Sequence, residues 1–180
     1  MDKSTILKTI LENDTRVTKA PKIGDFSNVE QIEGVSFEEL IPISFNNLVC
    51  LFISQVQLRE KGIEHLEDLI GKSVTYGILL PNGSLLFGHT SDVGERFHTY
   101  TKDARSKETK FFKDLRDYGR GLVIIFKVCN KEDSKYWEKR LIEGYKKAIF
   151  EAKISADICE YTDNEVNEIV GDYIYNIRNY

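Results

Sequence analysis

The stretch Val74-Thr75-Tyr76-Gly77-Ile78-Leu79-Leu80-Pro81-Asn82-Gly83-Ser84-Leu85-Leu86-Phe87-Gly88 decides the fold. Its first half is rich in strand-forming residues, Pro81-Asn82-Gly83-Ser84 is turn chemistry, and Leu85 to Gly88 resumes the apolar pattern. Together they predict a β-hairpin. Downstream, Thr90-Ser91-Asp92 offers N-caps for a helix through Arg96, Phe97 and Tyr100. A second helix runs from Thr109 to Tyr118, with Phe111, Phe112 and Leu115 on one side and Gly119 as its stop. Six of the seven residues of Leu122-Val123-Ile124-Ile125-Phe126-Lys127-Val128 are apolar, which predicts a central strand buried on both faces. Ser134 to Phe150 reads as a helix capped by Ser134, with Trp137, Leu141 and Tyr145 on a core-facing stripe. The predicted order is β-β-α-α-β-α.

Upstream of the hairpin the periods are less clear. Asn46 to Arg59 is strongly apolar and fits either a buried helix or a strand; its length favours helix. A short helix from Ile63 to Ile70 follows, ending at Gly71. Residues 13 to 45 are polar and irregular, and Ser4 to Glu12 places Ile6, Leu7, Ile10 and Leu11 at one-face helical spacing. The tail from Glu151 to Tyr180 is acidic, with one more helix expected from Asp163 to Ile177. The expected class is α/β (α+β), divided into a mostly helical extension over 1–72, a core over 73–150 and an acidic tail over 151–180.

Composition bounds the function. The chain has 180 residues, 41% hydrophobic and 30% charged, which is globular rather than disordered or fibrous. No apolar run reaches the roughly 18 to 20 residues that cross a bilayer, and Met1-Asp2-Lys3-Ser4-Thr5 feeds no signal core. A cytoplasmic location without membrane attachment is expected. Cys50, Cys129 and Cys159 lie far apart, without CxxC spacing, and are expected as reduced core thiols. Net charge is −4, yet Lys+Arg against Asp+Glu runs 8 to 12 over residues 1–72, 15 to 10 over 73–150, and 2 to 7 over 151–180. A basic middle flanked by acidic ends suits a phosphate backbone, although the surplus is modest.

The absences prune most enzyme classes. The chain has no GxxxxGK[ST], no GxGxxG after a strand, no HExxH and no GxSxG, and His65, His89 and His98 share no metal-ligand spacing with the cysteines. What remains is a polar set around the hairpin and the later helices: Tyr76, His89, Arg96, His98, Tyr100 and Glu138. Breaking a phosphodiester needs positive charge where negative charge develops, a group that takes a proton from water, and usually a divalent cation. Arg96 suits the first task, because guanidinium is permanently charged and grips two phosphate oxygens. A surface ion pair with Asp92 or Glu95 is its structural alternative. Glu138 is an oxygen ligand of the kind Mg²⁺ accepts, or else an exposed helix carboxylate paired with Lys135 or Arg140. Tyr76 is either a proton acceptor or a packing residue, and Tyr100, one turn from Arg96, shares its helix face.

Five features arrive in one order: Thr75-Tyr76-Gly77, then Leu86-Phe87-Gly88, Arg96 eight residues beyond Gly88, Tyr100 four further, and Glu138-Lys139-Arg140-Leu141-Ile142 on a late helix. This order resembles the GIY-YIG nuclease family over about residues 73 to 150. The run Lys110-Phe111-Phe112-Lys113-Asp114-Leu115-Arg116-Asp117-Tyr118-Gly119 resembles that family's helix ending in Tyr-Gly before the third strand. The resemblance implies a three-stranded antiparallel sheet flanked by helices, with the N-terminal helical extension and the acidic C-terminal helix as additions. It further implies a metal-dependent endonuclease acting on DNA, or on RNA, of the phage, mobile-element or restriction type. Tyr76 would be general base, Arg96 and Tyr100 would hold the phosphate, and Glu138 would bind Mg²⁺ or Mn²⁺. The pattern is broken at Leu86, which stands where the family has its second tyrosine, and Phe87 in the neighbouring register also lacks a hydroxyl. Thr75 replaces an apolar residue, and His89 stands where many members carry lysine or serine. His89 or His98 is a candidate substitute proton relay, since imidazole titrates near neutrality. The alternative function is a catalytically impaired relative that binds nucleic acid or a protein partner. The apolar 46–58 segment and Tyr173, Ile174 and Tyr175 are candidate contacts of a homodimer.

Overall fold

The computed structural model describes residues 39 to 177. Five strands, β1 (Leu40–Phe45), β2 (Cys50–Ser54), β3 (Ser73–Leu79), β4 (Leu85–Thr90) and β5 (Arg120–Cys129), form one sheet in the order β1-β2-β5-β3-β4. The helices are α1 (Gln55–Glu60), α2 (Val93–Asp103), α3 (Lys110–Tyr118), α4 (Ser134–Ile154) and α5 (Asp163–Val170), with short 3₁₀ turns at Leu66–Leu69 and Ile158–Glu160. The mixed α/β class is as expected, and the sheet departs from the expected three strands.

Three of the strands are where the hairpin and the apolar run place them. β3 pairs antiparallel with β4, Tyr76 opposite Gly88 and Ile78 opposite Leu86, around the Pro81-Asn82-Gly83 turn. β5 lies on the other side of β3, also antiparallel. Its pairing slips between Thr75, opposite Lys127, and Tyr76, opposite Ile125, so Phe126 is the extra residue of a bulge. The expected helix over 46–59 is overturned: Cys50 to Ser54 is a strand, parallel to β5 from Cys50–Arg120 to Ile53–Val123. A strand buried on both faces carries a continuous apolar run, and such a run has no period to betray it. Only its last third turns into α1, where the Ser54 hydroxyl caps the helix by accepting from the Gln57 amide at 3.3 Å. β1 completes the sheet as an edge strand. It tolerates Pro42 because its outer side needs no ladder donor, and its register shifts between Pro42 and Ser44.

Two apolar layers clothe this sheet. On one face Cys50, Phe52, Leu79, Phe87 and Ile124 pack with Ile142 and Phe150 of α4 and Val166 and Val170 of α5. On the other Leu51, Ile53, Tyr76, Ile78 and Ile125 pack with Phe97 of α2 and Phe111, Phe112 and Leu115 of α3. Each fully buried aliphatic side chain contributes about 1.5–3 kcal/mol, so the sheet is the centre of stability.

Smaller expectations change too. Asp133 rather than Ser134 precedes α4, because the Ser134 hydroxyl donates to the Lys131 carbonyl instead. Trp137 is half-buried and leaves the core stripe to Leu141, Ile142 and Tyr145. The last helix stops at Val170 rather than Ile177, since the chain then turns to run beside β4: the Leu85 amide donates to the Tyr173 carbonyl, and the Tyr175 amide to the Leu85 carbonyl, each at 2.8 Å. The three cysteines are free, but only Cys50 is buried, with Cys159 exposed. The helix expected over Ser4–Glu12 lies outside the described residues. No helix among the described residues is long and apolar enough to cross a membrane.

Candidate active site

Tyr76 sits in the middle of β3 and points into the layer made by α2 and α3. Its ring stands edge-on to Phe97 at 4.9 Å and to Tyr100 at 6.1 Å between centroids, and it is 1% exposed. Room for it comes from the opposite strand. A Cβ on Gly88 would lie 2.5 Å from the Tyr76 Cζ and 3.0 Å from Cε2, and would also strike the hydroxyl. The glycine that pairs with Tyr76 is therefore the floor on which the phenol lies.

The Tyr76 and Tyr100 hydroxyls are hydrogen-bonded at 2.7 Å, joining strand to helix across 24 residues. Tyr100 is positioned by α2, whose start is fixed by the Asp92 carboxylate accepting from the Glu95 amide at 3.0 Å. Phe111 and Phe112 of α3 close around its ring at 6.0 and 6.1 Å. Burial raises both phenols above the ordinary 10.0. At Tyr76 the charge and hydrogen bond of Tyr100 push the same way, and at Tyr100 the bond from Tyr76 pulls back. Arg96 lowers both and Glu138 raises both. The two charges thus act on the same pair of hydroxyls, although one comes from α2 and the other from α4 on the opposite face of the sheet. Arg96 is exposed, one helical turn before Tyr100, and forms no ion pair with Asp92, Glu95 or any other described residue.

Glu138 is 3% exposed and is neither the exposed helix carboxylate nor the partner of Lys135 or Arg140 weighed above. Its Oε2 is hydrogen-bonded to Nδ1 of His89, the residue that follows Gly88 on β4. α4 is held in place by Thr75, whose hydroxyl donates to the Ser134 carbonyl at 2.9 Å. Thr75 and Tyr76 therefore face opposite sides of the sheet and secure the two helices that carry the charges. His98 lies on the exposed side of α2, away from this arrangement.

Tyr76 and Tyr100 thus form a phenol pair with Arg96 one helical turn from Tyr100, and His89 and Glu138 form an imidazole–carboxylate pair. Leu86, two residues before Gly88, packs against the apolar layer on Tyr76's side and supplies no hydroxyl. Among the described residues no group of three His, Cys, Asp or Glu side chains is placed to hold a metal. Mg²⁺ does not require one, because it keeps several waters and is held by one or two carboxylates. Glu138 would fit that role: it is a buried carboxylate, bonded to His89 and with no lysine or arginine partner among the described residues, and a cation would balance its charge. The sequence did not reveal the His89–Glu138 bond, which spans 49 residues, or the service Gly88 gives to Tyr76. No family model, no curated protein and no solved structure matches the chain.

Proposed function

We propose that this protein is a divalent-metal-dependent endonuclease that hydrolyses phosphodiester bonds in DNA, built on a variant of the GIY-YIG scaffold. The observation that carries this reading is the phenol pair lying in the joint field of an exposed guanidinium and a buried carboxylate. Arg96, solvent-facing and without an ion pair among the described residues, binds the scissile phosphate and offsets the charge that grows on it. Tyr100 supports the same phosphate with its hydroxyl. Tyr76 is held as a neutral phenol, so it takes a proton from water only while handing its own to the Tyr100 oxygen 2.7 Å away, and Tyr100 in turn releases its own hydroxyl proton to an oxygen of the phosphate it supports. Glu138 would hold a divalent cation, with His89 orienting the carboxylate through Oε2. A bound Mg²⁺ or Mn²⁺ would supply positive charge to offset the charge that develops on the phosphate.

The test is nicking of supercoiled plasmid in Mg²⁺ or Mn²⁺. Wild-type protein converts the plasmid to open circles, while Glu138→Ala and Arg96→Ala each lose about a hundredfold or more in rate. Intact plasmid with wild-type protein at every salt refutes hydrolysis.

A second reading, a catalytically impaired scaffold that binds nucleic acid, is favoured by two observations. Leu86 removes a hydroxyl from the site, and Tyr76 is almost wholly shielded from solvent. A gel shift without nicking selects it.

A further inference from the structure

The first turn of α4 carries a feature that neither core nor active site uses. Tyr136 is 53% exposed, and its ring lies edge-on to Trp137 at 5.4 Å. Lys127 of β5 holds its ammonium 4.5 Å over the Trp137 ring, and Arg140 lies 5.6 Å over Tyr136 while donating to its hydroxyl at 3.2 Å. Lys127, Lys131, Lys135, Lys139 and Arg140 are all exposed, and none forms an ion pair among the described residues. In the same stretch only Glu132 and Asp133 are exposed acids, since Glu138 is buried against His89. The turn leading into α4 also forms one wall of a cavity of about 510 Å³ whose polar lining is Lys72, Ser73, Ser91, Asn130, Lys131 and Glu132.

An exposed tyrosine beside a half-buried tryptophan offers aromatic surface for something to stack on, and cations gathered around it repel one another unless an anion arrives. Nucleobases on a phosphate backbone satisfy both demands at once: every base has a face for an aromatic ring, and the backbone follows the cations. We infer that Tyr136 and Trp137, flanked by Lys127 and Arg140, form a stacking platform for unpaired bases of a nucleic-acid strand whose backbone continues toward Lys131. The platform deepens the nuclease reading and rests on it, because Glu138 is the next residue of the same turn. The substrate strand is therefore single-stranded, or opened, beside the bond to be cut.

Trp137 is the one tryptophan of the chain, so its emission reports on this surface alone. The full-length protein is titrated in EDTA with an oligothymidylate of about 15 nucleotides and with a blunt duplex of equal length, a size within the usual range of stacking sites. Single strand quenches the Trp137 emission and duplex binds at least tenfold more weakly. Tyr136→Ala weakens single-strand affinity, measured by anisotropy of a labelled oligonucleotide, by about tenfold, and Arg140→Gln lessens its salt dependence. Both side chains are exposed, and a far-ultraviolet spectrum identical to wild type accompanies the loss. Unchanged emission while the strand binds, equal affinity for duplex, no binding at low salt, or full affinity in Tyr136→Ala overturns the platform. Quenching without plasmid nicking sinks hydrolysis and leaves the platform standing; nicking without quenching does the reverse.

Discussion

Replacing Gly88 with alanine tests the site from underneath, without touching any charged group. The added Cβ would lie 2.5 Å from the Tyr76 Cζ, so the ring must withdraw by about 0.9 Å to reach the 3.4 Å of ordinary contact. It has nowhere to go, because Phe97 stands 4.9 Å away on α2 and Tyr100 closes the adjacent side at 6.1 Å. Overpacking of this kind costs about 1–3 kcal/mol. The displaced hydroxyl also loses its 2.7 Å bond to Tyr100, at about 0.5–1.5 kcal/mol for a buried pair. Gly88→Ala is therefore expected to lower unfolding free energy by about 1.5–4.5 kcal/mol, read from urea denaturation. Truncating the ring removes the obstacle, so Tyr76→Ala with Gly88→Ala should cost at least about 1 kcal/mol less than the two single losses together. A Gly88→Ala protein within about 0.5 kcal/mol of wild type, or strict additivity in the double variant, refutes the claim that this glycine exists to seat the phenol.

Two further outcomes follow from the same geometry. Burial holds Tyr76 protonated above the ordinary 10.0, so its contribution is fully present below pH 10 and is lost as pH rises beyond it, at about 1.4 kcal/mol per pH unit. Urea titrations from pH 9 to 11.5 should show this slope, reduced in Tyr76→Phe; an unchanged slope in that variant excludes Tyr76 as its source. Asn176 copies a strand's pairing with its side chain, accepting from the Phe87 amide at 3.2 Å and donating to the Phe87 carbonyl at 2.7 Å. Asn176→Ala should destabilise by about 1–2 kcal/mol and speed hydrogen exchange at the Phe87 amide, and protection equal to wild type would count against it.

The parts of the fold legible in the sequence were those with local signals. Pro81-Asn82-Gly83 announced a turn between two apolar segments, and Gly119, at φ 75°, ended α3 where its spacing placed it. β2 was illegible because Cys50 to Ile53 is buried on both faces, which erases the alternation that distinguishes strand from helix. β1 was hidden by Pro42 and by its half-buried edge position. In the site, residue types pointed to chemistry and chain order pointed to partners, so Tyr76, Arg96, Tyr100 and Glu138 stood out. The His89–Glu138 bond did not, because it depends on how α4 lies across β4, and no short stretch of sequence records a helix's placement over a sheet. Trp137 was misread for a related reason: helical spacing places it beside core residues, but its ring is half-buried with the Lys127 ammonium of β5 over it.

The parallel pairing of β2 with β5 has a consequence for the order of assembly. Cys50 and Arg120 are partners although 70 positions separate them, and β2 leaves the ribosome long before β5 exists. Until Arg120–Val123 has been synthesised, the β1–β2 ribbon presents an unclosed apolar margin to whatever else is in the cell. The β3–β4 hairpin closes from neighbouring segments and is expected to form first, β5 then returns past two helices to pair with β3, and the earlier-made ribbon is expected to dock last. The β2–β5 pairing, with its long loop to close, is therefore expected to be the slow step of assembly.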